Sequence, residues 1–182
     1  SINCPIDNFK TIKNSQELIG FKNAHLKDGL AILKFLFWFE KNVNSNKLTE
    51  ISLSQKLFDI RSLEKTFICE SFATISAFEK NGAIIHYKAK TSSNKKIDKC
   101  SLYLIDTGAH YLDGTTDTTR TILVGEAKPE MLDDYTLVLK GHIAIATVSF
   151  PKGTRGRELD TLARVELWST GKDYAHGTGH GV

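Results

Sequence analysis

The chain has 182 residues, 41 % apolar and 25 % charged, with 24 basic residues against 21 acidic ones and a net charge of +3. That length suits one good core and is short for two full domains, and the balance is that of an ordinary soluble globular chain. The densest basic cluster, Lys95, Lys96 and Lys99 beside Asp98 in "TSSNKKIDKC", reads as a solvated loop and excludes a nucleic-acid patch. Cys4, Cys69 and Cys100 are odd in number, far apart and without a C-x-x-C, which fits reduced thiols in a cytosolic protein better than a secreted disulfide framework. No signal peptide opens the chain. Its most apolar run, Leu30 to Phe39, contains a lysine and is well short of the roughly 18 residues of a membrane span. The expected location is the cytoplasm, with no membrane partner.

In chain order, residues 1–13 read as a linker or edge strand arriving from a preceding domain. Asn14 or Ser15 caps a helix, Glu17 completes a capping box from Asn14, and Leu18, Phe21, Leu26, Leu30, Leu33 and Phe37 form its apolar stripe to about Val43. The "NSNK" loop breaks that helix, and Thr49 starts a second one with Ile51, Leu57, Phe58 and Ile60 as its apolar side. From Phe67 the pattern becomes strand-like: "FICESFATISAF", "AIIHYKA", "SLYLIDTGAHYL" and "DTTRTILVG", with Asn81-Gly82 and Asp113-Gly114 as hairpin signals. Two further helices are predicted, from Pro129 to about Phe150 and over 156–170, before "AHGTGHGV" returns to an extended form. Helices, a strand meander, helices and a strand favour an α+β fold with an antiparallel sheet covered by helices.

Asp106 follows Leu102, Tyr103, Leu104 and Ile105, so both faces of its strand are apolar and the strand is predicted to be central. A carboxylate taken out of water there costs several kcal/mol, on the order of the penalty for any buried ion, unless a cation or several donors compensate it. Asp117 opens the next strand, and a hairpin brings the two carboxylates near each other. Two desolvated carboxylates repel, and a divalent metal is the common remedy. The plainer alternative has Asp106 accepting backbone N–H groups at a strand end and Asp117 capping a turn. Asp113, before a glycine, reads as a turn residue.

The closing segment carries His176 and His180 four apart. Gly177, Gly179 and Gly181 each cost a helix about 1 kcal/mol, so both imidazoles gripping one ion from a helix face is excluded. As a strand, the segment sets His176, Thr178 and His180 on one face and leaves only glycines on the other, which lets another backbone approach closely. Residues four apart on a strand are separated by about 13 Å, which favours one ligand and one histidine for substrate or proton transfer. Loop histidines bonded to backbone are the alternative. His86 alternates with Ile84 on a predicted strand and reads on its own as a sheet histidine. His25 and His110 read as surface residues, and His142 as the core edge of a helix. There is no phosphate loop, no G-x-S-x-G and no cysteine placed as a nucleophile.

"NGAIIHY", "YLIDTGAHYLDGTTDTTRT", "VLKGHIAI" and "YAHGTGHGV", in that order, resemble the catalytic domain of cytosolic eukaryotic Xaa-Pro aminopeptidase (aminopeptidase P), and the likeness runs over nearly the whole chain. This is a "pita-bread" metallopeptidase related to prolidase and methionine aminopeptidase. The resemblance implies that residues 14–182 are the N-terminal part of that domain. It implies that Asp106 and Asp117 are metal ligands, Asp117 bridging two ions, and that His180 is the histidine ligand. It further implies that His176 contacts substrate near the scissile bond, and that His86 hydrogen-bonds substrate and assists proton movement. The implied reaction is release of the N-terminal residue from peptides with proline second, by a water bridging two divalent ions. Oxygen-rich ligands with one imidazole point to Mn²⁺ first, with Co²⁺ or Zn²⁺ as alternatives.

The family completes its site with two glutamates and another histidine downstream of "HGTGHGV", so the site is expected to be incomplete in this chain, with weak metal affinity and no useful turnover. A homodimer is the family expectation. The competing classes are a catalytically dead pita-bread module that binds protein or nucleic acid, and a prolidase or methionine aminopeptidase relative. Asp106, Asp117 and His180 are all present, which argues for the enzyme.

Overall fold

The computed structural model describes residues 4–45, 47–98 and 100–182, so Asn46 of the predicted loop, Lys99 of the basic cluster and residues 1–3 lie outside the described residues. The chain divides into two compact units, residues 1–125 with Val182, and residues 126–181. Among the described residues no helix is long and apolar enough to cross a membrane.

Unit 1 begins with a short helix, α1 (Pro5–Thr11), where a linker or edge strand was expected; Pro5 stands in the first turn, where its missing N–H costs nothing. The long helix α2 (Ser15–Asn42) forms as predicted. Asn14 Oδ1 accepts from Glu17 N at 2.9 Å, and Asn14 N donates back to Glu17 Oε2 at 2.8 Å. Its buried face differs from the predicted one. Gly20, Ala24, Asp28, Ala31, Ile32, Phe35 and Phe39 are buried, whereas Leu18, Leu26, Leu30, Leu33 and Phe37 are exposed. The reason is close approach. A Cβ on Gly20 would collide with the carbonyl of Asp113, so the small-residue side of α2 is the side that reaches the strands. Helix α3 (Glu50–Arg61) starts at Thr49 as predicted, through a reciprocal Thr49–Ser52 cap. It buries Leu53 and Leu57, while Ile51 and Phe58 lie at its exposed edge.

The strands are β1 (Phe67–Glu70), β2 (Ile75–Phe78), β3 (Ser101–Thr107), β4 (Ala109–Tyr111), β5 (Gly114–Thr115) and β6 (Thr118–Val124). They form two antiparallel three-stranded sheets, ordered β1-β4-β5 and β2-β3-β6, with β3 central as expected. Gly108 alone separates β3 from β4. A Cβ there would collide with Thr116 O and Ser71 Oγ, so only glycine lets these segments meet. The second predicted hairpin exists but closes one residue earlier, with Tyr111 paired to Gly114 around Leu112 and Asp113. Asp113 is a turn residue as expected, and its carboxylate pairs with Lys27 Nζ at 2.9 Å.

"AIIHYKA" is not a strand. Glu79–Ala83 is a 3₁₀ turn, and both Glu79 (φ 53°) and His86 (φ 52°) adopt the left-handed region. The Asn81-Gly82 pair makes no hairpin because the Asn81 amide is drawn inward to Glu50 Oε1 at 2.9 Å. The core packs Ile32, Phe35 and Phe39 of α2 and Leu53 and Leu57 of α3 against Phe78, Tyr103, Ile105 and Val124 of the β2-β3-β6 sheet. Phe39 stacks on Tyr103 with centroids 5.5 Å apart. Each large side chain so buried contributes about 1.5–3 kcal/mol.

Unit 2 is a helix pair, α4 (Pro129–Thr147) and α5 (Gly156–Trp168), both close to their predicted bounds. They meet where Gly141 faces the Ala163 carbonyl, and a Cβ on Gly141 would collide with it. His142 is exposed, not at a core edge. The segment after α5 is irregular, with a bend at Ala175 and His176, and belongs to neither sheet, in contrast to the extended strand expected there.

Candidate metal centre

Burial along β3 alternates, with Ser101, Tyr103, Ile105 and Thr107 buried on one face and Leu102, Leu104 and Asp106 half-buried on the other. The β3–β6 register pairs Asp106 with Thr119 and Thr107 with Thr118. The Thr119 hydroxyl donates to Asp106 Oδ1 at 2.7 Å and fixes the rotation of that carboxylate. Asp117 directly precedes β6. Carried back from Thr119, the period of two sets Asp117 on the face that holds Thr119 and Asp106, as a diagonal neighbour at roughly 7–8 Å. Both carboxylates are half-buried.

On the other face lies a buried ion pair that composition did not announce. Asp28 and Arg61 are 1 % and 0 % exposed. Arg61 Nε and Nη2 donate to Asp28 Oδ1 and Oδ2 at 2.7 and 3.0 Å. Tyr111 OH and Thr116 Oγ1 add donors to the same oxygens at 2.9 and 2.8 Å. The remaining Arg61 nitrogen, Nη1, donates to Thr107 Oγ1 and, at 3.3 Å, to Gly108 O. Burial first, and then the Asp28 charge, push the Tyr111 phenol above its ordinary range, so it stays a neutral donor.

A second buried acid organises the neighbourhood of His86. Glu50 Oε1 accepts from Phe78 N at 2.7 Å and from Asn81 Nδ2, and its Oε2 accepts from Tyr87 OH and Lys95 N, both at 2.9 Å. Its place in the first turn of α3 adds the favourable end of the helix dipole. Burial raises the Tyr87 phenol, which therefore remains protonated and donating. With Tyr87 anchored, the adjacent His86 is held outward and exposed in its left-handed conformation.

In unit 2, Arg164 gathers the segment after α5. It donates to Asp160 Oδ2, Asp173 Oδ1, Tyr174 O and His176 O, each at 2.7 Å, with its guanidinium 3.9 Å over the Tyr174 ring. The Thr178 hydroxyl donates to Asp160. Hydrogen bonds from Arg164, and then from Thr178, hold the Asp160 carboxyl below its usual range. Asp173 is lowered by Trp168 and then Arg164. The His176 ring lies 4.8 Å from the Tyr174 ring, and His180 Nδ1 is 2.9 Å from Gly181 O. His176, Thr178 and His180 therefore do not form the regular strand face expected of them.

Sequence reading missed Asp28, Arg61 and Glu50, because charged residues read as surface, and it missed Thr119 as a partner of Asp106. A signal existed for Asp28: it falls on the Gly20, Ala24, Ala31 and Phe35 side of α2, a carboxylate on an apolar helix face.

The chain belongs to metallopeptidase family M24, whose model matches residues 20–182. It is 51 % identical to a probable Xaa-Pro aminopeptidase P of Paracoccidioides brasiliensis over all of this chain and 30 % of that protein. It is 46 % identical to Xaa-Pro aminopeptidase 1 of Dictyostelium discoideum over 98 % of this chain and 29 % of that one. Among solved structures, the X-prolyl aminopeptidase of Caenorhabditis elegans, described as a cytosolic enzyme with a di-nuclear active site, matches with a TM-score of 0.89. The two share 47 % identity over 93 % of this chain and 28 % of that chain. The fold is accordingly the pita-bread α+β fold of the family. The chain spans about 30 % of the length of the curated relatives it matches.

Among the described residues no three His, Cys, Asp or Glu side chains gather closely enough to hold a metal ion. The donor chemistry of unit 1 nevertheless suits a divalent cation. Two half-buried carboxylates lie on β3 and directly before β6, one already oriented by a hydroxyl, and hard oxygen donors are what such ions take.

Proposed function

We propose that the protein containing this chain is a metallo-exopeptidase that releases the N-terminal residue from peptides with proline in the second position. The observation that carries the reading is the β3–β6 pairing, which sets Asp106 against Thr119 with Asp117 one residue before β6, in a chain about half identical to proteins named Xaa-Pro aminopeptidase P. Asp106 and Asp117 supply hard oxygen ligands for two divalent ions, and His180 supplies an imidazole. The chemistry such ions would supply when bound there is polarisation of the scissile carbonyl and a lowered pKa of the attacking water. His176 binds substrate near the scissile bond. His86, exposed beside its anchored neighbour Tyr87, hydrogen-bonds the peptide and moves a proton. Mn²⁺ is the ion proposed, with Co²⁺ and Zn²⁺ as the alternatives. The cytoplasm is the proposed location, as the C. elegans neighbour is described as cytosolic. The substrate is a peptide, without nucleic-acid or membrane partners, and the protein acts as a homodimer. Residues 14–182 are the N-terminal part of the catalytic domain, and residues 1–13 link it to what precedes.

The test is release of the first residue from an Xaa-Pro-Pro peptide by the full-length protein with Mn²⁺, Co²⁺ or Zn²⁺, and then with chelator. Hydrolysis that needs the ion and is lost in Asp117→Ala is the expected result. Hydrolysis unchanged in Asp117→Ala overturns the metal role. Absence of hydrolysis with all three ions leaves a pita-bread module that only binds.

A further inference from the structure

Asp106 and Asp117 stand next to the two threonines that the buried ion pair holds. Thr107 follows Asp106 on β3, and alternation turns its side chain to the opposite face, where Arg61 Nη1 donates to its hydroxyl. Thr116 precedes Asp117, is 0 % exposed, and donates to Asp28 Oδ2 at 2.8 Å. Thr116 is also stitched to the strand end. Its Oγ1 accepts from Ala109 N at 3.1 Å, its own N donates to Ala109 O at 2.9 Å, and its carbonyl accepts from Ser71 Oγ at 3.1 Å. One side chain, Arg61, therefore grips the Asp106 side of the turn directly, and its partner Asp28 grips the Asp117 side.

Direction is fixed along the network as well. Arg61 has only donors, so Thr107 Oγ1 accepts from it. Thr74 donates onward to Glu70, so across the 2.7 Å Thr107–Thr74 contact it is Thr107 that donates. Each threonine hydroxyl thus has one defined rotamer, and neither β3 nor the segment before β6 can slide without breaking a buried, charge-assisted bond.

We propose that Asp28 and Arg61 are positioning residues that set the spacing of Asp106 and Asp117 through Thr107 and Thr116, an inference that rests on the metal-binding reading above. The pair touches neither substrate nor ion. It fixes two backbone segments from behind the sheet so that the two carboxylates stand ready for the cations, and like charges brought together in the ion-free protein are held there by the ion pair behind them. Partners that orient metal ligands in this way typically change metal affinity by about 10–100-fold when removed.

The experiment is a direct Mn²⁺ titration of the metal-stripped full-length protein, read as a dissociation constant and paired with its unfolding midpoint. Thr107→Val and Thr116→Val keep shape and remove the hydroxyl; each is expected to weaken Mn²⁺ binding by about tenfold or more. Thr107→Ser and Thr116→Ser, which retain the hydroxyl, are expected to restore the wild-type constant. Leu53→Ala, in the core and outside the network, lowers the midpoint and leaves the constant unchanged. In peptidase assays the valine variants regain activity as Mn²⁺ is raised to saturation. Valine variants that lower the midpoint but bind Mn²⁺ as the wild type does overturn the inference and leave the metal site standing. Wild-type protein that binds no Mn²⁺, or binds it equally well as Asp106→Asn, overturns the metal reading itself and the positioning inference with it.

Discussion

The two units solve the problem of charge in opposite ways. Unit 1 takes Asp28, Arg61 and Glu50 wholly out of water and satisfies every carboxylate oxygen with donors from three or four separate segments. Unit 2 keeps its ion pairs nearer the surface: Lys140–Glu166 and Lys172–Asp134 are open to solvent and salt, and in the Arg164 cluster the arginine is largely covered while its carboxylate partners are part-exposed. Unit 1 also has a continuous core, whereas α4 and α5 bury only Gly141, Ala163 and Leu167. Buried charge pairs seldom raise stability above what apolar residues of equal size give, but they are costly to break and permit few alternative arrangements. The unit that carries both candidate carboxylates is thus the one whose local geometry is over-determined.

The sharpest way to break this contrast is Arg61→Met. It leaves Asp28 buried with two hydroxyl donors and no cation, and a loss of about 3–5 kcal/mol is expected. Hydrogen exchange on peptides of α2, α3 and β3 measures it; unchanged protection there would show that the pair is not what holds unit 1. Glu50→Gln comes next. The side chain keeps its size, but an NH₂ now confronts groups that donate, and about 1–3 kcal/mol is expected to be lost through one unsatisfied buried donor. Retained protection at Phe78 and Lys95, whose N–H groups Glu50 receives, would argue against it.

A third effect separates the units by pH. Tyr103 is fully buried, and burial above all holds its phenol well above the ordinary value near 10. The folded state therefore keeps a proton that the unfolded chain releases. Its contribution is complete below about pH 10 and declines as pH rises beyond that, by about 1.4 kcal/mol per unit. Wild-type protein is expected to lose stability more steeply above pH 10 than Tyr103→Phe, whose curve is shallower because only Tyr111 and Tyr87 still contribute, after a neutral-pH cost of about 1 kcal/mol for the lost bond to Ser76. Parallel alkaline curves would remove Tyr103 from the account.

These contrasts also explain which features were legible in the sequence. The Asn14–Glu17 cap, the Thr49 start and Pro129 act through neighbours in the chain, and a local signal suffices for each. The alternation from Leu102 to Asp106 and the turn before Asp117 are likewise local, and a local signal was enough to place β3 at the centre of its sheet and Asp117 at the start of β6. The buried face of α2 was not legible, because the helix is apolar on two sides and the strands took the small side, Gly20 and Ala24, over the larger leucines. Asn81-Gly82 failed as a hairpin signal for a similar reason: a partner distant in sequence, Glu50, claimed the asparagine. The extended ending failed because a strand exists only when paired, and what organises residues 173–178 is a single arginine on α5.

That arginine supplies the smallest effect and the clearest counterpart to Arg61. Arg164→Gln removes one residue's bonds to Asp160, Asp173, Tyr174 and His176, yet its partners can turn to water, so only a slight change in global stability is expected. The effect should be local: faster exchange over residues 173–178, with unit 1 unchanged. Its pH dependence runs opposite to that of Tyr103. Asp160 and Asp173 are held below their ordinary values, so their contribution is present above about pH 4 and is lost as pH falls through the lowered values. In wild-type protein, acidification or high salt should release the segment that bears His176, and Arg164→Gln should already show that release at neutral pH. If the segment exchanges equally slowly in the variant, the arginine does not organise it, and the contrast between a charge buried to fix geometry and a part-covered charge that tethers a loop fails on its second half.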